Sequence, residues 1–238
     1  MIRIENLTKR FGKLQVMDNI NLVCNKGECI ALIGPNGCGK TTLIKCILGM
    51  VVPNSGKIFF DEQVVKNTDY KYRNRIGYMP QIGRYPDNMN IEQVVEMIRA
   101  LRKSHEEYDE ELLENFKLKS MYGKKMRTLS GGTTQKVSAT LSFLFNPDVL
   151  ILDEPTAGLD PLAAEMLKEK IIKEKEKGKL ILITSHLLSE LDGLVTQVIF
   201  MQEGKVVFHK GVAELKEMTG QGKLSKAILS VIKNQASE

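Results

Sequence analysis

The chain has 238 residues, of which 42% are hydrophobic and 26% charged, which excludes a disordered, collagen-like or small disulfide-scaffold protein. The net charge is +5, but the lysines are interleaved with glutamates, as in Lys168–Lys177, so the excess reads as solvated helix face rather than as a patch for nucleic acid. No uncharged apolar run approaches the ~18 residues of a membrane span, and the start, Met1-Ile-Arg-Ile-Glu-Asn, has no signal-peptide stretch, so a cytoplasmic location is expected.

Residues 1–33 alternate short β-type runs with turns: Ile2–Glu5, Ile20–Val23 and Glu28–Ile33. A glycine-rich segment, Gly34–Thr42, follows. After it, Leu43, Ile44, Ile47 and Leu48 fall at helical spacing, with Gly49 placed to end the helix. Pro53–Gly56 reads as a turn and Lys57–Phe60 as a strand. Residues 85–147 change character. Asn90 with Gln93 suggests a capping box opening a helix through about Leu101. A second amphipathic stretch covers about Glu110–Leu118, and a third helix is expected from Ser130 to Phe145, stopped at Asn146-Pro147.

Strand patterns then resume. Val149–Leu152 and Leu180–Thr184 are the continuous apolar runs of parallel strands buried on both faces. Asp160-Pro161 is an N-cap followed by proline at the first helical position, and Gly178 stops that helix. Val195–Met201 and Lys205–Phe208 predict a hairpin across Gln202–Gly204. Leu224, Ile228, Val231 and Ile232 share one face of a C-terminal helix, which either packs or docks. The expected architecture is α/β with a mostly parallel sheet and a helical insertion at about 85–147. The four cysteines, Cys24, Cys29, Cys38 and Cys46, include no CxxC pair and match no metal-ligand spacing, so reduced thiols are expected. The lack of tryptophan and the 6% aromatic content argue against a base-stacking nucleic-acid platform.

Three segments carry chemistry. Gly34-x-x-x-x-Gly39-Lys40-Thr41 lies between a strand and a helix, as a phosphate-binding loop requires. Its backbone N–H groups and the helix N-terminus attract phosphate. Lys40 supplies a cation for the β- and γ-phosphates, and the Thr41 hydroxyl is a hard oxygen ligand for Mg2+. Val149–Asp153 is an apolar strand ending in a carboxylate suited to Mg2+ through a water. Strand alternation turns Glu154 away from Asp153, towards an attacking water. Ser130-Gly131-Gly132 opens the third helix of the insertion, either as a plain Gly-Gly turn with a serine N-cap, which physics alone favours, or as a second phosphate nest.

Together these segments resemble the nucleotide-binding subunit of an ATP-binding cassette (ABC) transporter, in motif order and over nearly the whole chain. The Walker A loop is Gly34–Thr41, the Q-loop residue is Gln81, and the signature is Leu129–Lys136. Walker B is Val149–Asp153 with Glu154, the D-loop is Ala157–Asp160, and the switch histidine is His186. Phe11 sits where the family places an aromatic against adenine. The resemblance implies one ABC ATPase domain over 1–238: a P-loop core at about 1–84 and 148–210 with an antiparallel β subdomain, a helical subdomain at about 85–147, and a helical tail at about 211–238.

The resemblance further implies ATP and Mg2+ as cofactors. Nucleotide contacts are expected from Phe11, Gly34, Asn36, Gly37, Cys38, Gly39, Lys40, Thr41 and Thr42. Ser130, Gly131, Gly132 and Asp160 would act across a head-to-tail dimer. Thr41, Asp153 and Gln81 are the expected metal ligands, and Glu154, His186, Lys40 and Gln81 the catalytic residues. Cys38 stands where serine or alanine is frequent, which puts a thiol beside the phosphates. Thr133-Thr134 replaces a longer polar or basic side chain.

Integral membrane permease subunits are the implied partners, docking near Gln81 and residues 83–105, with the chain peripheral on the cytoplasmic face of the inner membrane. The stretch Asn146–Glu165 resembles the short exporter-type subunits, and the later part of the chain is similar to the Nos-type ATPases of nitrous oxide reductase copper-site maturation. A soluble ABC ATPase acting on ribosomes would carry two cassettes, and one organising DNA a long coiled coil. A P-loop kinase would leave Ser130, Glu154 and His186 without a purpose.

Overall fold

The computed structural model describes residues 1–66, 70–102 and 107–235, with Gln235 by its backbone alone. β1 (Ile2–Phe11) and β2 (Leu14–Cys24) form an antiparallel pair. β3 (Cys29–Ile33) leaves them for a second sheet, and the chain enters α1 (Lys40–Ile47) through the glycine-rich loop. β4 (Ser55–Phe60) and β5 (Gln63–Val64) complete the first sheet in the order β2-β1-β4-β5.

β6 (Ile76–Met79) leads to the helical part: α2 (Ile91–Leu101), α3 (Glu111–Asn115) and α4 (Gly131–Phe143). β7 (Val149–Asp153), α5 (Pro161–Glu176) and β8 (Leu180–Thr184) follow, then the hairpin of β9 (Gln197–Gln202) and β10 (Lys205–Gly211). α6 (Val212–Thr219) and α7 (Leu224–Gln235) close the described chain. The second sheet runs β10-β9-β3-β8-β7-β6, parallel from β9 to β6, with β10 antiparallel at its edge.

Alternation along the parallel strands divides the interior in two. Ala31, Leu150, Leu152, Ile181 and Ile183 face α2 to α7 and join their apolar residues. Their neighbours Ile30, Leu32, Val149, Ile151 and Leu182 face α1 and the antiparallel sheet. β3, β7 and β8 are buried at every position, which is why they read as unbroken apolar runs.

The capping box forms as expected, Asn90 Oδ1 accepting from Gln93 N and Gln93 Oε1 from Asn90 N. The second insertion helix is shorter than its pattern suggests: α3 stops at Asn115, and Lys117 takes φ 54°, which turns the chain into a 3-10 turn at Leu118–Met121. α4 is capped by the Ser130 hydroxyl and ends at Phe143. α7 packs rather than projects: Leu224, Ala227, Ile228 and Val231 join the core on the helical side. Of the sequence regions read above, residues 103–105 of the docking stretch and 236–238 of the tail lie outside the described residues.

Candidate active site

The C-terminal ends of β3, β7 and β8 meet at one edge of the parallel sheet, where α/β proteins place their ligands. A cleft of about 590 Å³ opens there, lined by Phe11, Asn36, Gly37, Gly39, Lys40, Thr41, Thr42, Gln81, Asp153, Glu154 and His186, with Leu14 and Val16. Gly39 makes the turn possible. It lies at φ 108°, and a Cβ there would meet the Val16 carbonyl oxygen at 2.8 Å. α1 therefore starts at the cleft floor with its N–H groups unsatisfied by side chains. Lys40 Nζ donates to the Gly34 and Pro35 carbonyls at 2.7 and 3.1 Å.

Asp153 ends β7 and is buried. Its Oδ1 accepts from the Thr184 hydroxyl at 2.5 Å. Burial pushes its carboxyl above the usual range, and the charge of Glu154 adds to that, while the Thr184 bond, Lys40 and His186 oppose it.

Glu154 corrects the alternation argument. β7 stops at Asp153, and Glu154 turns to φ 51°, so both carboxylates line the same cleft. The turn is held by Glu154 N, which donates to the Thr184 carbonyl at 3.2 Å and hydroxyl at 3.0 Å. Glu154 Oε1 accepts from Gln81 Nε2 and stands 2.9 Å from His186 Nε2. Gln81 and His186, remote in sequence from each other and from Glu154, thus converge on one oxygen.

Two expected nucleotide contacts, Gly34 and Cys38, are not in the lining of the cleft. Gly34 offers its carbonyl to Lys40. Cys38 is only 3% exposed and packs in the core with Met17 and Leu43, because its side chain points from the loop towards the sheet. The thiol expected beside the phosphates is thus buried, although its Sγ lies 3.9 Å from Lys40 Nζ.

Ser130, Gly131, Gly132 and Asp160 do not line the cleft. They form a second surface of their own. A Cβ at Gly132 would come within 2.6 Å of the Gly158 carbonyl oxygen, so only glycine lets α4 approach the 157–160 loop this closely. Lys136 Nζ lies 2.6 Å from Asp160 Oδ2, and Gln135 Nε2 donates to the Glu154 carbonyl at 3.4 Å. The residues that sequence reasoning missed are Leu14, Val16 and Thr184. Thr184 carried a signal, as a hydroxyl closing an apolar strand beside Asp153.

A phosphate-binding loop at the edge of a parallel sheet, facing paired carboxylates, defines a P-loop nucleotide-binding protein. The family profile described as ABC transporter matches residues 17–157. A curated relative, the lantibiotic transport ATP-binding protein SrtF of Streptococcus pyogenes, is 33% identical over 221 residues, 92% of this chain and 95% of that protein. The Nod factor export ATP-binding protein I of Burkholderia lata is 34% identical over 210 residues, 87% of this chain and 69% of that protein. A solved structure of an ATP binding subunit of an ABC transporter superposes with a TM-score of 0.89 at 27% identity, covering 98% of this chain and 99% of that one. The chain belongs to the ABC transporter family, as an ATP-binding and ATP-hydrolysing cassette subunit.

Proposed function

We propose that two copies of this chain pair head to tail and use ATP hydrolysis to drive membrane subunits that export a cargo. The observation that carries the pairing is the division of the site. Lys40, Asp153, Glu154 and His186 line the cleft, whereas Ser130, Gly131 and Gly132 stand on a separate surface. Ser130 and Gly131 are exposed at the N-terminus of α4, an anion site that a neighbouring copy's nucleotide would fill.

Within the cleft, the Gly34–Thr41 backbone and Lys40 hold the β- and γ-phosphates, and half-exposed Phe11 stacks on the base. The oxygens of Thr41, Asp153 and Gln81 are the hard donors that fit Mg2+, and a cation there would relieve the buried Asp153 charge. Bound Mg2+ supplies charge neutralisation of the phosphates. Glu154 takes the proton of the attacking water, and Gln81 and His186 orient its carboxylate through Oε1. His186 also offers a donor to the γ-phosphate. The Lys136–Asp160 and Gly132–Gly158 contacts carry movement from one nucleotide to the other.

Among the described residues no helix is long and apolar enough to cross a membrane; in the proposed assembly the membrane subunits supply the spanning helices. A groove of about 530 Å³ between β6 and α2, with Tyr78, Pro80, Tyr85, Ile98 and Leu101 in its walls, supports docking where the resemblance implies it. Export follows the Nod factor export relative, and the lantibiotic relative is likewise a transport ATP-binding protein. Neither relative is a nitrous oxide reductase maturation protein, so the reading stops at export without a named cargo.

The test is capture of tagged Glu154→Gln chain from detergent-solubilised native membranes with ATP. Co-purification of a polytopic membrane protein is expected. Recovery of soluble partners alone overturns the transporter reading and leaves the ATPase standing.

A further inference from the structure

His186 stands between β8 and a short turn at Leu188–Glu190. Its side chain is 46% exposed, so packing does not hold the ring in place. The backbone around it is better fixed. Ser185 Oγ accepts from Leu187 N at 3.0 Å, a local hydroxyl-closed turn. Four residues after His186, Glu190 Oε2 accepts from the Thr156 hydroxyl at 2.5 Å.

Thr156 lies two residues after Glu154. Two loops are therefore joined by two rungs: Glu154 to His186, and Thr156 to Glu190. The first rung lies in the cleft, between groups given roles in hydrolysis above. The second does not, since neither Thr156 nor Glu190 lines the cleft. A hydroxyl donating to a carboxylate is a strong, directional bond. Beyond it, Asp192 accepts from Leu224 N at 3.2 Å and pairs with Lys216 at 3.0 Å, which fastens the far end of the same segment to α6 and α7.

We propose that Thr156 and Glu190 are positioning residues for hydrolysis, their hydrogen bond fixing the loop that carries His186 against the loop that carries Glu154. The proposal rests on the role given to His186 above. Without the second rung the His186 loop, beyond its anchor at Thr184, is held to the Glu154 loop by the His186–Glu154 rung alone. A displacement of about 1 Å at a reacting group costs up to about 100-fold in rate. The phosphate loop and Phe11 stand on other elements, so the nucleotide contacts other than that of His186 are untouched.

The test compares Thr156→Val, Thr156→Ser, Glu190→Ala and the Thr156→Val/Glu190→Ala double variant with the wild-type full chain in steady-state ATP hydrolysis. Thr156→Val and Glu190→Ala are each expected to lower kcat about tenfold with KM within about twofold. The double variant is no slower than either single one. Thr156→Ser, which keeps the hydroxyl, restores the wild-type rate. The proposal is overturned if Thr156→Val keeps the wild-type kcat, if its loss appears in KM, or if Thr156→Ser is as slow as Thr156→Val. His186→Ala is assayed beside them. Full activity there removes the role of His186 itself; a slow His186→Ala with a fast Thr156→Val removes only the positioning role.

Discussion

Lys136 on α4 and Asp160 at the start of α5 lie 2.6 Å apart, and Asp160 also accepts from Ala163 N at 2.9 Å. One carboxylate thus caps a helix and ties the signature segment to the 157–160 loop. The bond from Lys136, helped by the Ala163 N–H, holds the Asp160 carboxyl below the usual range. Asp160→Asn keeps the cap and loses the charge pair, whereas Asp160→Ala loses both. The expected order of melting temperature is wild type, then Asn close behind, then Ala. An Ala variant as stable as the Asn variant would remove the cap from the account. Because the folded pKa is depressed, the pair is present above the ordinary aspartate range and is lost as pH falls below it.

Glu154→Gln keeps the shape of the side chain and removes its basicity. ATP hydrolysis is expected to fall at least about 100-fold, with ATP affinity little changed. Sizing chromatography of this variant with ATP should show a dimer. Near-normal turnover would take Glu154 out of its role.

The four cysteines are buried. Burial pushes the Cys24 and Cys29 thiols up to about 12 and Cys46 up to about 11. Maleimide should therefore label none of them in the folded chain at neutral pH and all of them after denaturation. Rapid native labelling of Cys38, blocked by ATP, would show instead that its thiol faces the cleft. For Cys24 and Cys29 the sign is that of a raised acid. Their contribution is complete below the unfolded value near 9.0 and declines as pH rises towards about 12.

Lys170 of α5 is 1% exposed and sits among Asp109 at 2.5 Å, Glu111 at 2.8 Å and Glu174 at 3.1 Å. Lys170→Met takes the cation from Asp109, while Glu111 keeps Lys173 and Glu174 keeps Lys177 and Lys179, and should cost about 1–3 kcal/mol in urea unfolding. A loss below about 1 kcal/mol would show that these carboxylates are satisfied without it. Burial pushes the Glu174 carboxyl up, but hydrogen bonds from Lys177, Lys179 and Lys170 outweigh that and bring it down to about 2. Its stabilisation is present above the ordinary value of 4.5 and fades as pH falls towards about 2. Stability measured across that window should fall less steeply in Glu174→Gln than in wild type.

The central strands were legible because strands covered on both faces need an unbroken apolar run, and β3, β7 and β8 each have one. The start of α2 was legible because its capping box is local. The course of the chain at Glu154 was not. Alternation ends where β7 ends, and the turn at φ 51° is imposed by Thr184, which lies 30 residues away. The burial of Cys38 was hidden for a similar reason: a residue in a glycine-rich loop reads as exposed until the sheet behind it is known. The convergence of Gln81 and His186 on Glu154 Oε1 came from the family pattern, since no local signal joins residues so far apart.

Ile30 and Ala31 are neighbours in β3, yet their side chains belong to opposite cores. A mutational scan along β3, β7 and β8 should therefore yield two interleaved records. Every second position reports on the fit of α1 and the antiparallel sheet, and the positions between report on α2 to α7. Pairs of adjacent core substitutions should behave as if they were in different proteins, while pairs two apart should interfere.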